Sequence, residues 1–276
     1  MPKIIVCCIK QVPGTTEIKI DPTTNTLIRE DTEAIINPLD TYALEEAVRI
    51  KERAANDEVL KKDEFKVVVI SMGPPQAEKA LRECISLGAD DAVLISDRKF
   101  AGADTLATSK TLAGAIRKIE KDFGKIYLVF CGKQTVDGDT GQVGPELSHF
   151  LNFPFLAYVS QIQEIEYKKT AVTRLIDDES QAFELPLPAV ISVTKEINIP
   201  RIPSLKASIR SKSVQIINYT AGDIGLKENE IGLQGSATQV IKIFTPKRER
   251  RAIIFSGGID EQVEQLLNHL KEDRVT

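Results

Sequence analysis

Residues 132–144 crowd glycine, aspartate, threonine and glutamine into one short turn, GKQTVDGDTGQVG. Its chemistry is that of anion binding. Glycines let backbone come close to a ligand, and N–H groups at a helix start have no partner of their own. An apolar strand over 126–131 leads in, and Pro145 suits the first turn of the helix that leads out. Alone, the stretch reads as a phosphate cradle and leaves the phosphate compound open. Other chemistries are not signalled. The four cysteines, Cys7, Cys8, Cys84 and Cys131, fall in strand-like runs or on a helix-like face. The two histidines, His149 and His269, are far apart. No zinc, iron–sulfur or disulfide framework follows, and buried reduced thiols are expected. There is no nucleophile elbow and no histidine triad, so any reaction is a cofactor's.

The elements that must position the turn read in order. Residues 3–9 are apolar and β-branched, a buried strand that ends at Lys10. No GxGxxG follows it, so the standard dinucleotide fingerprint is absent. Residues 17–31 read as a small hairpin excursion. Asn37 and Pro38 then open a helix with Leu39, Ala43, Ala47 and Ile50 on its inner face, and Glu45, Glu46, Arg49 and Lys51 largely outside. Asn37 reads either as an ordinary turn residue or as one presented to a ligand. A second strand spans 65–71 and exits through Met72 and Gly73. Its helix carries Ala77, Ala80, Leu81, Cys84 and Leu87 inward and stops at Gly88. A third strand, 91–96, precedes a helix for which Asp104 is the expected N-cap. Asp104, Thr105 and Thr108 are either cap and first-turn residues, or partners for a ribose or phosphate. Strands alternating with helices imply right-handed crossovers and a mainly parallel sheet with helices on both faces. Ligands bind such sheets outside the carboxyl ends of strands. The loops that leave the strands therefore converge on one nucleotide-sized crevice.

After Pro154 the pattern turns to strands over 156–167, 171–176, 182–187 and 189–193. Residues 198–213, NIPRIPSLKASIRSKS, read as a surface loop with a basic tail, or as a protruding recognition segment with Leu205 as its apolar anchor. The tail holds a basic cluster at 247–251, a strand at 252–255 and a last helix from Asp260. It reads as an arm, 221–276, that docks on another subunit, beside an α/β domain of 1–220. The sequence SGGID at 256–260 looks like a pyrophosphate loop, yet only one helix follows it, so it reads as a turn with an aspartate cap. The chain has 276 residues and a net charge of −4, which argues against a nucleic-acid surface. No apolar run is long enough for membrane insertion, and the first residues do not form a signal peptide, so the expected location is cytoplasmic.

The motifs IIVCCIKQVPGT, NPLDTYALEEAVRIKE, VISMGPPQAEKALRECISLGADDAVLISD, ADTLATSKTLA, GKQTVDGDTGQVGPELS and PRIPSLKASIRSK together resemble the β subunit of electron transfer flavoproteins over most of the chain. The resemblance implies an adenine-nucleotide α-hydrolase-like (Rossmann-like) fold and an electron transfer flavoprotein α subunit, which carries its own FAD, as partner. In ordinary carriers of this family the β site holds structural AMP. In the bifurcating branch it holds FAD that takes hydride from NADH. Electrons then pass to ferredoxin or flavodoxin and, through the α-subunit FAD, to an acyl-CoA or related dehydrogenase. The run VDGDTGQVGP resembles the bifurcating branch, with Gly141 in place of the commoner alanine. By motif position, nucleotide contacts are expected from Cys7, Asn37, Asp40, Met72, Asp104, Thr105, Thr108, Gly132, Gln134, Val136, Asp137, Gly138, Asp139, Thr140, Gly141, Gln142 and Val143. Leu205 matches the family's partner-anchoring leucine. The alternatives are an AMP-holding carrier and an ATP-binding regulatory protein on the same fold.

Overall fold

A computed structural model describes residues 1–14, 34–177, 179–241 and 252–272. The chain forms two compact units, Met1–Gln239 and Val240–Thr276. The first is built on a nine-stranded sheet. In chain order its elements are β1 (Lys3–Cys8), a small antiparallel pair β2 (Gln11–Pro13) and β3 (Ala34–Ile36), α1 (Pro38–Asn56), β4 (Phe65–Met72), α2 (Glu78–Ser86), β5 (Asp91–Ile95), α3 (Thr105–Asp122), β6 (Lys125–Gly132) and α4 (Val143–Leu151). There follow β7 (Phe155–Ile165), β8 (Lys169–Ile176), β9 (Glu179–Pro186), β10 (Ala189–Val193), α5 (Leu205–Ser213), β11 (Ile217–Tyr219) and α6 (Ala221–Ile224). The hairpin excursion expected at 17–31 lies outside the described residues.

The sheet order is β11-β5-β4-β1-β6-β10-β7-β8-β9. From β11 to β7 every pairing is parallel, and β8 and β9 extend the sheet as an antiparallel limb. From β1 the chain moves one way through β4 to β5. It then returns to place β6 on the other flank of β1. The switch in strand order therefore falls between β1 and β6, where Cys7 pairs with Phe130.

Alternation along β1 divides two cores. Ile5, Cys7 and Ile9 face α1 and α2, while Ile4 and Val6 face α3 and α4. Both faces of the central strands are covered, which is why their sequences are nearly continuous apolar runs rather than alternating ones. All four cysteines are free; Cys7, Cys84 and Cys131 are buried, and Cys8 is half-buried.

Four expectations give way. Glu45 and Glu46 are not on an outer face of α1; each is only 4% exposed. Arginines compensate them: Glu45 takes bonds from Arg49 (2.6 Å) and Arg201 (2.8 Å), and Glu46 takes one from Arg53 (2.6 Å). With such partners a buried carboxylate keeps its full charge. Second, residues 198–213 are not all loop. Ser204 caps α5 by accepting a bond from the Ala207 amide (3.2 Å), and the prolines lie upstream of the cap, where they do not break the helix. Third, residues 252–255 have no ladder partner among the described residues, so no strand forms there. In the second unit, α7 (Ile259–Glu272) begins before Asp260, which lies in its first turn rather than capping it. Glu261 instead accepts a bond from the Gly258 amide (3.0 Å).

Phe130, fully buried in the core beneath α1, is a sharp test of this packing. Phe130→Ala is expected to cost about 3–5 kcal/mol in urea unfolding. A loss below about 1 kcal/mol is inconsistent with a filled core at this position.

Candidate functional site

The candidate site is built at the β1/β6 switch, from the start of α1. The backbone of Asn37 is non-helical (φ −52°, ψ 121°), and its side chain makes no helix-capping bond. It ties two loops together instead. Nδ2 donates to Asp40 Oδ1 (2.9 Å) and to the Gln134 carbonyl (2.9 Å), and Oδ1 accepts from the Val136 amide (3.2 Å). Asn37 is fully buried, so its amide shapes the turn from beneath. That is a role neither of the two sequence readings described.

Asp40 lies in the first turn of α1 and is 4% exposed. Its Oδ2 accepts from the Lys10 amide (2.8 Å), and the Gly132 amide also donates to it. One carboxylate thus joins the carboxyl ends of β1 and β6. A Cβ on Gly132 would lie 2.4 Å from Asp40 Oδ1 and 2.8 Å from the Leu39 carbonyl carbon, so only glycine lets the strand end approach α1 this closely. Burial pushes the Asp40 carboxyl up to about 7, against the donors at Lys10, Asn37 and Gly132, which pull it down.

Above this knot the turn stands open to solvent from Val136 to Gln142. It closes on itself through the Asp139 amide, which donates to the Thr135 carbonyl (2.8 Å), and through a contact of the Gln134 amide with the Asp139 carboxylate. Asp139 and Gly141 have positive φ, 54° and 61°. Lys10 Nζ reaches Asp137 Oδ1 at 2.8 Å. Burial works against the Asp137 charge, but the bonds from Lys10 and Thr135 prevail and hold its carboxyl below the usual range. At the exit, α4 starts at Val143 without a side-chain cap, which leaves its first amides available to an anion.

The start of α3 supplies the other wall. Asp104 caps it as expected, accepting from the Ala107 amide (3.0 Å). Its second oxygen takes the Thr238 amide (2.9 Å) and hydroxyl (3.0 Å), so both oxygens are used within the first unit. The Thr105 hydroxyl donates to Glu146 Oε1 (3.1 Å) and approaches Gln142 Oε1 (3.3 Å), joining α3 to α4. Thr108 is half-buried on the next turn, and its hydroxyl has no side-chain bond among the described residues. Met72 ends β4, packed against the same core as Val143. Cys7 is buried beneath α1, its thiol 3.9 Å from the Ala43 carbonyl.

The structure therefore gathers Cys7, Asn37, Asp40, Gly132, Gln134, Val136 and Asp137 at the switch point, and Asp104, Thr105 and Gln142 at the helix starts. The turn links the two groups. Lys10 and Glu146 belong to this constellation and escape sequence reasoning. Lys10 looks like any lysine ending a strand, and Glu146 like any acidic residue in a first helical turn. A separate groove of about 620 Å³ lies between α1 and β7, lined in part by Glu46, Arg49, Arg53 and Ile162. Its arginines are engaged by Glu45, Glu46 and the carbonyls of Ile199 and Ile162, so it offers an anion less than the strand ends do.

The Electron transfer flavoprotein domain model matches residues 24–224. The chain belongs to the electron transfer flavoprotein family. It is 46% identical over 274 residues to the electron transfer flavoprotein subunit beta of Thermoanaerobacterium thermosaccharolyticum, covering 98% of this chain and 99% of the relative. It is 42% identical over 272 residues to the caffeyl-CoA reductase-Etf complex subunit CarD of Acetobacterium woodii, covering 98% and 99%. It is 44% identical over 251 residues to the protein FixA of Azotobacter vinelandii, covering 90% and 86%. This near end-to-end similarity makes the chain a β-type member of the family, with a role in electron transfer. Among the described residues no helix is long and apolar enough to cross a membrane.

The raised Asp40 carboxyl has a stability consequence. Between roughly pH 4 and 7 the folded chain holds a proton there that the unfolded chain releases, so this contribution falls as pH rises through that window and is flat above it. Subtracting the urea unfolding free energy of Asp40→Asn from that of the parent should leave a difference that declines from pH 4.5 to 7.5, by on the order of 1 kcal/mol per pH unit at its steepest. A difference that does not vary with pH excludes an elevated Asp40.

Proposed function

We propose that the chain is the β subunit of a heterodimer with an electron transfer flavoprotein α subunit, and that its strand-end loops hold FAD. In this reading the heterodimer works in the cytoplasm. It takes hydride from NADH and divides the electrons. One goes to ferredoxin or flavodoxin, the other through the α-subunit FAD to an acyl-CoA or related dehydrogenase.

The observation that carries the FAD reading is Gly138. Gly132 and Gly141 are explained by the protein itself, one by the Asp40 carboxylate and one by its positive φ. Gly138 has neither reason. A Cβ there would meet only Thr135 Oγ1, at 3.7 Å, and its φ is not in the left-handed region. A glycine that the protein does not need is accounted for by a ligand that approaches the backbone closely, and by the lack of a carboxylate beside a diphosphate.

The residues present fit such a group. Lys10 is a cation beside the turn, the first amides of α4 are uncapped, and Asn37 holds the turn at Gln134 and Val136. The bound flavin would supply the hydride and single-electron chemistry. The chain's own part is to bind, orient and shield it. The C-terminal segment is proposed to dock on the α subunit. In support, α7 exposes Ile259, Val263, Leu266 and Leu267 at helical spacing. The dehydrogenase is proposed to meet Leu205, which is 79% exposed at the start of α5.

Co-expression with the α subunit, followed by identification of the nucleotides released on denaturation, tests the FAD reading. Two FAD per heterodimer are expected. One FAD plus AMP makes the chain a non-bifurcating carrier, and ATP on a stable isolated chain returns the regulatory alternative. For docking, Leu205→Ala is expected to raise KM for the dehydrogenase about tenfold, as loss of a central apolar anchor does, with nucleotide content unchanged. Unaltered KM removes Leu205 from the partner surface.

A further inference from the structure

Residues 198–213 form a prong that exposes Ile199 (82%), Ile202 (91%), Leu205 (79%) and Ile209 (63%). A segment this apolar and this exposed has little core of its own to hold its shape. It is held by charge, one partner of which is buried. Arg201 Nε lies 2.8 Å from Glu45 Oε2, and its backbone amide also donates to that oxygen (3.2 Å). Its two terminal nitrogens reach Glu52 Oε1 (2.7 Å) and Oε2 (3.0 Å). One guanidinium thus forks across two carboxylates seven residues, or about two helical turns, apart on α1. Glu45 is 4% exposed, so this end of the clamp is well shielded from water. The two carboxylates hold the Arg201 guanidinium firmly in its charged form.

The rest of the prong is fastened to match. Before Arg201, the Asn198 side chain donates to the Tyr42 carbonyl (3.0 Å), and Arg49 donates to the Ile199 carbonyl (3.2 Å). After it, Arg82 donates to the Ser211 (2.9 Å) and Val214 (3.1 Å) carbonyls at the end of α5. Arg210 reaches back to the Asp90 carbonyl (3.1 Å). A cation on those last carbonyls also suits the helix dipole. Gly88, at φ 118°, ends the α2 segment beside the guanidinium. A Cβ there would meet Val48 at 3.0 Å and the Arg201 Nη1 at 3.7 Å.

We propose that Arg201 is a positioning residue for electron delivery. Its fork on Glu45 and Glu52 fixes the entry of α5, so the apolar face around Leu205 is presented already ordered. This rests on the reading of Leu205 as a docking anchor. Ordering a mobile segment on binding weakens association, and a segment ordered beforehand avoids that penalty. Arg201 touches neither the nucleotide turn nor its supporting knot, so its effect is on association and not on the bound cofactor.

The test uses the αβ heterodimer with a purified short-chain acyl-CoA dehydrogenase as the probe, and a small dye acceptor that needs no docking as the control. Arg201→Ala leaves Glu45 paired with Arg49, so no buried carboxylate is stranded. Arg201→Lys keeps the charge but cannot fork across both carboxylates, and it serves if the alanine variant folds poorly. In either variant KM for the dehydrogenase is expected to rise about five- to tenfold with kcat within about twofold, as loss of preorganisation requires. Amide exchange over 202–213 should accelerate, while dye reduction and nucleotide content stay as in the parent. Unchanged KM in both Arg201 variants, or a fall in kcat at unchanged KM, overturns the inference. Leu205→Ala is run alongside to separate the two readings. If it raises KM and the Arg201 variants do not, only the positioning role fails. If it has no effect, or if the parent shows no saturable exchange with the dehydrogenase, the docking reading fails and takes this inference with it.

Discussion

One buried carboxylate organises the ligand-facing edge of the sheet. At the switch between β1 and β6 the parallel ladder ends, and the amides of Lys10 and Gly132 are left without a strand to bond. Asp40 accepts both, and Asn37 donates to Asp40 while holding Gln134 and Val136. Amides left unpaired at this half-buried edge would be costly, so the knot is a condition for the switch point as well as a scaffold for the turn. Its tension is electrostatic. The same burial that makes the hydrogen bonds strong makes the charge expensive, which is why the Asp40 carboxyl is raised despite three donors.

Helix α1 serves two surfaces at once. Its first turn, through Asp40, supports the turn at 132–144. Its middle, through Glu45, Glu46 and Glu52, holds the segment that carries Leu205. Both tasks use carboxylates, in opposite settings. Asp40 has no cationic side chain among its bonded partners and is pushed toward neutrality. Glu45 has Arg49 and Arg201; burial raises its carboxyl, their bonds outweigh that, and it stays below the usual range. Placing both supports on one stiff element keeps the two surfaces in fixed register within the first unit.

Much of this was legible from residue order alone, and the failures are physical. The strand–helix alternation, the inward face of α2, the Asp104 cap and the loop-rich carboxyl edge all follow from periodicity and turn chemistry. The burial of Glu45 and Glu46 does not, because helical periodicity assigns a charged residue outward unless its partner is known. Arg201 lies far along the chain, and no local pattern pairs it with them. Helix α5 was hidden by the prolines upstream of Ser204, and residues 252–255 resemble a strand in composition but find no neighbour in the described chain to pair with.

The amino-acid sequence by itself determined the class of fold, the turn that follows the fourth strand of the parallel core, and membership in a family. These reside in local spacing and in long motif runs, which need no knowledge of what touches what. Only the tertiary structure decided what each polar residue does. It made Asn37 a stitch between loops rather than a turn residue, gave both oxygens of Asp104 to the protein, and separated the glycines the fold requires from Gly138, which it does not. The reason is that hydrogen bonds and ion pairs between distant segments are set by how the chain packs, and burial alone determines whether a charge is a surface ornament or a structural post.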